Sequence, residues 1–470
     1  MQVIMMMQNM KDIAMLLAIN HMTGSQYETC ASQMTTTGLS ALKDSYMKEY
    51  EAYQCKNLKL DMSRGKPGPD QLVLSAPMLD VLSSQSDLSA SDGTDCRNYG
   101  CLDGIPEAKE LMGSLLGLPA ENMIVGGNSS LNMMYDAVSR AMLHGVYGSP
   151  KPWCRLEKVK FLCPVPGYDR HFAICQHFGI EMICVPMKED GPDMNLVEKL
   201  VSKDESIKGI WCVPKFSNPG GITYSDEVVR RFANLSPKAP DFRIFWDDAY
   251  FVHELTDEKV KLLNLFEEAK KNGKEDMVFV FCSTSKISYP GSGLAAMGAS
   301  FHNIQNIKMQ MTVQTIGNDK MNQLRHVRFF RDKEGVLSHM KKHAALIRPK
   351  FQLVERILEE ELGFCGIARW TEPKGGYFIS LDTQPGCAKR VISLCRDAGV
   401  VMTPAGATYP YGIDPEDSNI RIAPTYPTLE ELEPAARILC LCIKIATIEK
   451  MIAQASEQEA APQKAYAIAQ

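Results

Sequence analysis

The chain has 470 residues and a formal charge of −5, from 51 lysines and arginines against 56 aspartates and glutamates. With 45% apolar and 23% charged residues it is composed like an ordinary globular protein able to bury a sizeable core. Collagen-like, disordered and membrane-spanning architectures are thereby excluded for its bulk, and the mild acidity gives no global pull towards nucleic acid or an anionic membrane.

Residues 1–38 hold eight of the 27 methionines. Their longest apolar run, 13–19, is too short to span a bilayer. Lys11 is followed at once by Asp12 with no clear cleavage site after it, which makes a poor signal peptide. We expect a disordered or non-native extension, with Met34 as the candidate true start. The pattern TTTGLSALKDSYMKEYEAY predicts a helix, and residues 39–94 are assigned to the N-terminal part of a smaller domain. Within 95–330, short apolar runs at 159–163, 182–186, 207–213, 243–246, 277–282 and 294–299 alternate with helical patterns such as MNLVEKLVSKDE and SDEVVRRFANL. Runs apolar on both faces and separated by helices predict a mainly parallel sheet covered on both sides, the large domain. Residues 331–450 carry a predicted helix at 349–362, a GGYFISLD strand and a helix at 388–398, which suggest an α+β second lobe. The Ala/Gln-rich stretch 451–470 reads as a frayed, disordered tail. The fifteen cysteines include no C-x-x-C pair and form neither a zinc site nor a disulfide framework. No metal is expected, and a reducing cytoplasm is.

Ligands of open parallel sheets sit at the carboxyl ends of the strands, so the loops after these runs are where chemistry is sought. After 159–163 comes Pro164-Val165-Pro166-Gly167-Tyr168, an aromatic at a strand end that also reads as a core or rim tyrosine. After 207–213 comes Asn218-Pro219-Gly220-Gly221, by itself a turn signal. After 243–246 comes Asp247-Asp248-Ala249-Tyr250. A carboxylate desolvated there is costly unless it meets a cation such as a protonated pyridine nitrogen, although Asp is equally common as a helix N-cap. After 277–282 comes Ser283-Thr284-Ser285-Lys286, a lysine flanked by hydroxyls and placed to form an imine with an aldehyde cofactor; most loop lysines are simply solvated.

In order and spacing these four loops resemble pyridoxal-phosphate-dependent aminotransferases of fold type I. Asn218 precedes Asp247 by 29 residues, Tyr250 follows that Asp by three and Lys286 by 39. The phrases DMSRGKPGPDQL, RNYGCLDGIPEAKEL, CPVPGYDRHF, NPGG, DDAY, STSK and NIRIAPTYPT are similar to the divergent bacterial aspartate aminotransferase branch called subgroup Ic, and the resemblance covers residues 57–445. It implies an α/β fold, with a mainly parallel seven-stranded sheet in the large domain and a smaller α+β domain. It also implies that Lys286 holds pyridoxal 5′-phosphate and later shuttles a proton, while Asp247 keeps the pyridine nitrogen protonated. Tyr250 and Asn218 match the pair that hydrogen-bonds the ring oxygen, and Tyr168 matches the aromatic stacked on the ring. Asn128, Ser129 and Ser130, in a strand–turn–helix pattern whose helix N-terminus suits a dianion, are assigned to the phosphate with Ser283 and Ser285 opposite; NSS is also a capping sequence. Tyr99 matches a tyrosine that reaches the phosphate of the neighbouring subunit, which implies a homodimer with shared active sites.

For the substrate, the resemblance assigns the α-carboxylate to Arg421, whose planar fork suits bidentate contact, and part of the pocket wall to the backbone of Gly65. The chain departs from most relatives at Leu294, where an arginine usually pairs with the phosphate. Arg64, Arg97 and Lys215 are candidates for a distal carboxylate. The reaction expected is transfer of the amino group from L-aspartate to 2-oxoglutarate by a ping-pong mechanism. The alternatives are a lyase using the same cofactor (aspartate β-decarboxylation or β-elimination), an aminotransferase of other specificity, and a non-enzymatic regulator that keeps the cofactor fold to sense an amine. A regulator would need a basic DNA-binding domain, and the 38-residue extension has one lysine and no arginine.

Overall fold

The structure, a computed structural model, describes residues 35–468. The readings of residues 1–34, Met34 among them, lie outside the described residues.

Among the described residues are thirteen strands, in three sheets, and thirteen α-helices, with short 3₁₀ turns between them. The helices are α1 (Thr36–Gln54), α2 (Pro69–Val73), α3 (Pro106–Leu116), α4 (Ser130–His144), α5 (Asp169–His177), α6 (Met194–Val201), α7 (Asp226–Ala233), α8 (Leu265–Lys271), α9 (Phe301–Gln314), α10 (Lys320–Phe330), α11 (Lys333–Leu362), α12 (Ala388–Asp397) and α13 (Leu429–Ile468). The strands are β1 (Leu60–Asp61), β2 (Met123–Val125), β3 (Lys160–Val165), β4 (Glu181–Lys188), β5 (Gly191–Pro192), β6 (Ile207–Cys212), β7 (Arg243–Asp247), β8 (Val278–Ser283), β9 (Ala295–Ala299), β10 (Ala368–Trp370), β11 (Ile379–Thr383), β12 (Val400–Val401) and β13 (Asn419–Ile422).

The large sheet runs β2-β9-β8-β7-β6-β3-β4-β5. Strands β4, β3, β6, β7 and β8 are parallel neighbours, whereas β9 is antiparallel to both β8 and β2. Seven of its strands match the expected number, and the eighth is the two-residue β5, turned back on β4. Alternate residues of each central strand feed opposite faces, as the twofold pleat requires. Leu162, Ile210, Ile244 and Val280 join α3, α6, α7 and α8 in one core. Their neighbours Phe161, Trp211, Phe245 and Phe279 join α4, α5 and α9 in the other. Ser225 caps α7 by accepting from Val228 N, as the SDEV pattern suggests.

A third core unites α1, α12, α13, the antiparallel sheet β10-β11-β13 and the second half of α11. Helix α11 begins sixteen residues before the predicted 349, with Pro349 in its interior. Val336, Met340 and Ile347 form a buried stripe at helical spacing, so packing outweighs the hydrogen bond that the proline forgoes. The chain also differs from expectation at its C-terminus, where α13 continues through Ile468 in place of a frayed tail. That segment is rich in Ala and Gln, both good helix formers, and the helix runs through Pro462.

The strand order fixes the site. Strands β8, β7, β6 and β3 lie side by side and point the same way, so the loops leaving their carboxyl ends meet along one edge. Strand β2 runs in that direction too, since it opposes β9, and delivers the start of α4 to the same edge.

Candidate active site

Along that edge lies a cleft of ≈ 730 Å³, walled by the strand-end loops on one side and by β13 and the 401–407 loop on the other. Of the residues singled out from sequence, Lys286, Asp247, Tyr250, Asn218, Tyr168, Ser129, Ser130, Ser283, Ser285, Arg421, Gly65 and Arg64 all line it.

Asp247 closes β7 and is 2% exposed. Its Oδ2 accepts an N–H from His171 Nε2 at 3.0 Å, while its Oδ1 has no hydrogen-bond partner among the described residues. An unpaired buried carboxylate oxygen is among the costlier features a fold can hold, and it implies a donor that arrives with a ligand. His171 stacks on Trp211 with ring centroids 4.4 Å apart and an interplanar angle of 10°, which fixes the imidazole plane. Tyr168 meets His171 edge-on at 5.0 Å.

Lys286 follows β8, and its Nζ lies 5.0 Å above the Tyr250 ring and 5.9 Å above Tyr377. Loss of hydration pushes the lysine pKa down and Asp247 opposes that only in part, so a neutral amine is available at lower pH than for a free lysine. Burial likewise raises the Tyr250 phenol, helped by Tyr168 and Asp247, and keeps it a hydrogen-bond donor. Three histidines anchor the Lys286 loop from beneath. His339 meets Ile287 O at 2.9 Å and His343 Nε2 at 3.0 Å, and His326 Nε2 meets Ser288 Oγ at 2.8 Å.

Ser129 is the N-cap of α4, yet its hydroxyl makes no capping bond and faces the cleft wall with Ser130. Opposite, Ser283 Oγ donates to Ser285 Oγ at 3.0 Å. These hydroxyls and a helix N-terminus form an anion cradle. Leu294 is 1% exposed in the sheet core, so no side chain from that position reaches the cradle.

Arg421, on β13, lies against the Phe378 ring, with its guanidinium carbon 4.9 Å from the centroid. Its Nη1 donates to Asp169 Oδ1 at 2.9 Å and to Asn218 Oδ1 at 3.2 Å. Gly65 lies at the Cζ end of Phe378, where a Cβ would stand 2.5 Å from that atom; glycine is favoured by this close approach.

Four residues stand elsewhere. The Asn128 amide donates to Pro290 O at 3.1 Å, so only its backbone carbonyl, accepting from Ser285 Oγ, touches the cradle. Arg97 is exposed and paired with Asp95 at 2.7 Å. Lys215 is turned to Glu254 Oε1 at 2.7 Å and Phe251 O at 3.0 Å, beside a separate small cavity that Asp248 also lines. Neither Arg97 nor Lys215 lines this chain's cleft, and each is held by an acidic partner. Tyr99 is 80% exposed and does not line its own chain's cleft. The sequence reading missed His171, Asp169, Phe378 and Thr403. His171 follows Tyr168 by three residues, a helical spacing that puts both on one face, and this was its only local signal.

Among the described residues no helix is long and apolar enough to cross a membrane, and no cluster of side chains is arranged to hold a metal.

Comparison with known proteins agrees with this geometry. The family model for aspartate amino-transferase matches residues 34–455. A Corynebacterium glutamicum aspartate aminotransferase is 46% identical over 402 residues, covering 86% of this chain and 93% of that protein. A Mycolicibacterium smegmatis protein, provisionally named an aminotransferase with no substrate specified, is 50% identical over 415 residues, covering 88% and 97%. Among solved structures, an aspartate transaminase from Corynebacterium glutamicum superposes with a TM-score of 0.87 at 43% identity, covering 90% of this chain and 99% of that one.

Proposed function

This chain belongs to the aspartate aminotransferase family, enzymes of fold type I, and on that premise we propose that it transfers the amino group of L-aspartate to 2-oxoglutarate, giving oxaloacetate and L-glutamate, with pyridoxal 5′-phosphate as cofactor. The observation that carries the cofactor assignment is the buried, unpartnered Oδ1 of Asp247 in the same cleft as Lys286. A protonated pyridine nitrogen is the donor that this oxygen lacks, and the serine cradle at the start of α4 suits a phosphate.

When bound, the cofactor supplies an electron sink for negative charge at the substrate Cα. The chain's residues do the rest. Asp247 Oδ1 would accept from the ring N–H, and His171 holds the other oxygen so that the carboxylate cannot rotate away. Tyr250 and the Asn218 amide would hydrogen-bond the ring oxygen, and Tyr168 would cover a ring face. Lys286, which would hold the cofactor aldehyde before substrate arrives, would then move the proton with its freed Nζ from the substrate Cα to the cofactor's C4′. Arg421 receives the substrate α-carboxylate on its planar fork, and the walls formed by Phe378 and Met402 keep water from the reacting carbon. Arg64, which lines the cleft, is the candidate left for the distal carboxylate. Tyr99, exposed on one chain, is assigned to the phosphate of a second copy, in a cytoplasmic homodimer.

The test is to give the purified holoenzyme aspartate alone. A transaminase stops after one half-reaction and resumes when 2-oxoglutarate is added; continuous release of alanine or ammonia would instead mark a lyase. Arg421→Ala is expected to raise KM for both amino and oxo acids by about 10²-fold, the loss of a charge-assisted bidentate contact. Steady-state kinetics with each substrate check this, and an unchanged KM for both would remove Arg421 from the carboxylate site.

A further inference from the structure

The carboxylate site already holds a carboxylate. Asp169, the first residue of α5, reaches from the large sheet to β13 and places Oδ1 2.9 Å from Arg421 Nη1. Arg421 is 8% exposed at its side chain and Asp169 34%, so the guanidinium is enclosed while its internal partner stands at the cleft surface. The contact uses one arm of the fork. Nη1 also donates to Asn218 Oδ1 at 3.2 Å and Nε to Thr403 Oγ1 at 3.4 Å, whereas Nη2 makes no hydrogen bond among the described residues.

We propose that Asp169 is an internal competitor for the substrate: its carboxylate occupies Arg421 in the ligand-free protein and must be displaced before the substrate carboxylate can bind. The inference rests on the reading above that Arg421 receives that carboxylate. An incoming carboxylate that engages both arms makes two charge-assisted bonds where Asp169 makes one, so the exchange runs forward. The displaced Asp169 stays at the N-terminus of α5, where partial solvation and the helix dipole accommodate its charge. The exchange also acts as a filter. A ligand without a carboxylate has nothing to offer Arg421 in return and leaves the internal pair in place.

The experiment is calorimetric titration of the holoenzyme with succinate, a dicarboxylate with neither an amino nor an oxo group, so that binding is read without turnover. Asp169→Asn and Asp169→Ser both remove the competing charge, and serine keeps a hydroxyl at the helix start in case the amide disturbs folding. In both, the Kd for succinate is expected to fall about tenfold, a gain that structural damage would not produce. A Kd equal to or weaker than that of the wild type in the folded variants overturns the proposal. Arg421→Lys, titrated in parallel, separates the two claims. If it binds succinate as tightly as the wild type, the carboxylate-site reading itself has failed. If it binds weakly while the Asp169 variants do not tighten, only the competitor role has failed.

Discussion

Lys286→Ala is expected to abolish transamination and to strip the purified protein of its visible absorption. One side chain serves both as the attachment point and as the base. Positioned proton transfer alone is worth roughly 10²–10⁴-fold, so losing both roles should lower turnover by more than about 10⁴-fold. The fold should survive, because Lys286 makes no ion pair among the described residues and its loop is held by His339 and His326 through Ile287 O and Ser288. Absorption spectra, stopped assays and borohydride reduction followed by peptide mapping check the assignment. A variant that turns over normally, or a reduced adduct found on another lysine, overturns it.

Asp247→Asn should separate catalysis from stability. The amide keeps the shape of the side chain and a contact to His171, but it removes the negative charge that favours a protonated ring nitrogen. Loss of one preorganised electrostatic partner in a dry site costs on the order of 10²–10³ in kcat, and that is the expected drop. In the cofactor-free protein the effect on stability has the opposite sign. Wild-type Asp247 is 2% exposed with Oδ1 unpartnered, a desolvation cost that a neutral amide reduces, so Asp247→Asn should unfold at the same or a higher temperature. Such a trade is common where function requires a strained group. Kinetics and thermal denaturation together test this, and a variant that is both less stable without cofactor and catalytically normal contradicts the role given to Asp247.

The parts of the site legible in the sequence are those that sit immediately after strands. Phe161 and Leu162, or Phe245 and Ile244, announce buried strands by being apolar at successive positions, and Tyr168, Asp247 and Lys286 follow within a few residues. Arg421 was identified by the resemblance of the NIRIAPTYPT phrase rather than by its place after a strand. Where local pattern competes with packing, the reading falls short. Pro349 suggested a boundary that α11 ignores, because the stripe before it is buried against the sheet core. Asn128 suggested a ligand, yet its amide belongs to Pro290 O, a partner 162 residues away.

Apolar runs separated by helical patterns, carried by neighbours in the chain, indicated the class of fold by themselves, while the cofactor and the roles expected of individual residues came from the resemblance of seven motifs to a known family. Only the tertiary structure decided which of those residues share a cleft, because the strand order β8-β7-β6-β3 brings distant loops to one edge. It alone decided the pairs that set their chemistry: His171 with Asp247 across 76 residues, and Asp169 with Arg421 across 252. A hydrogen bond between side chains so far apart leaves no periodicity behind it; its geometry exists only once the sheet and the two walls of the cleft have closed around it.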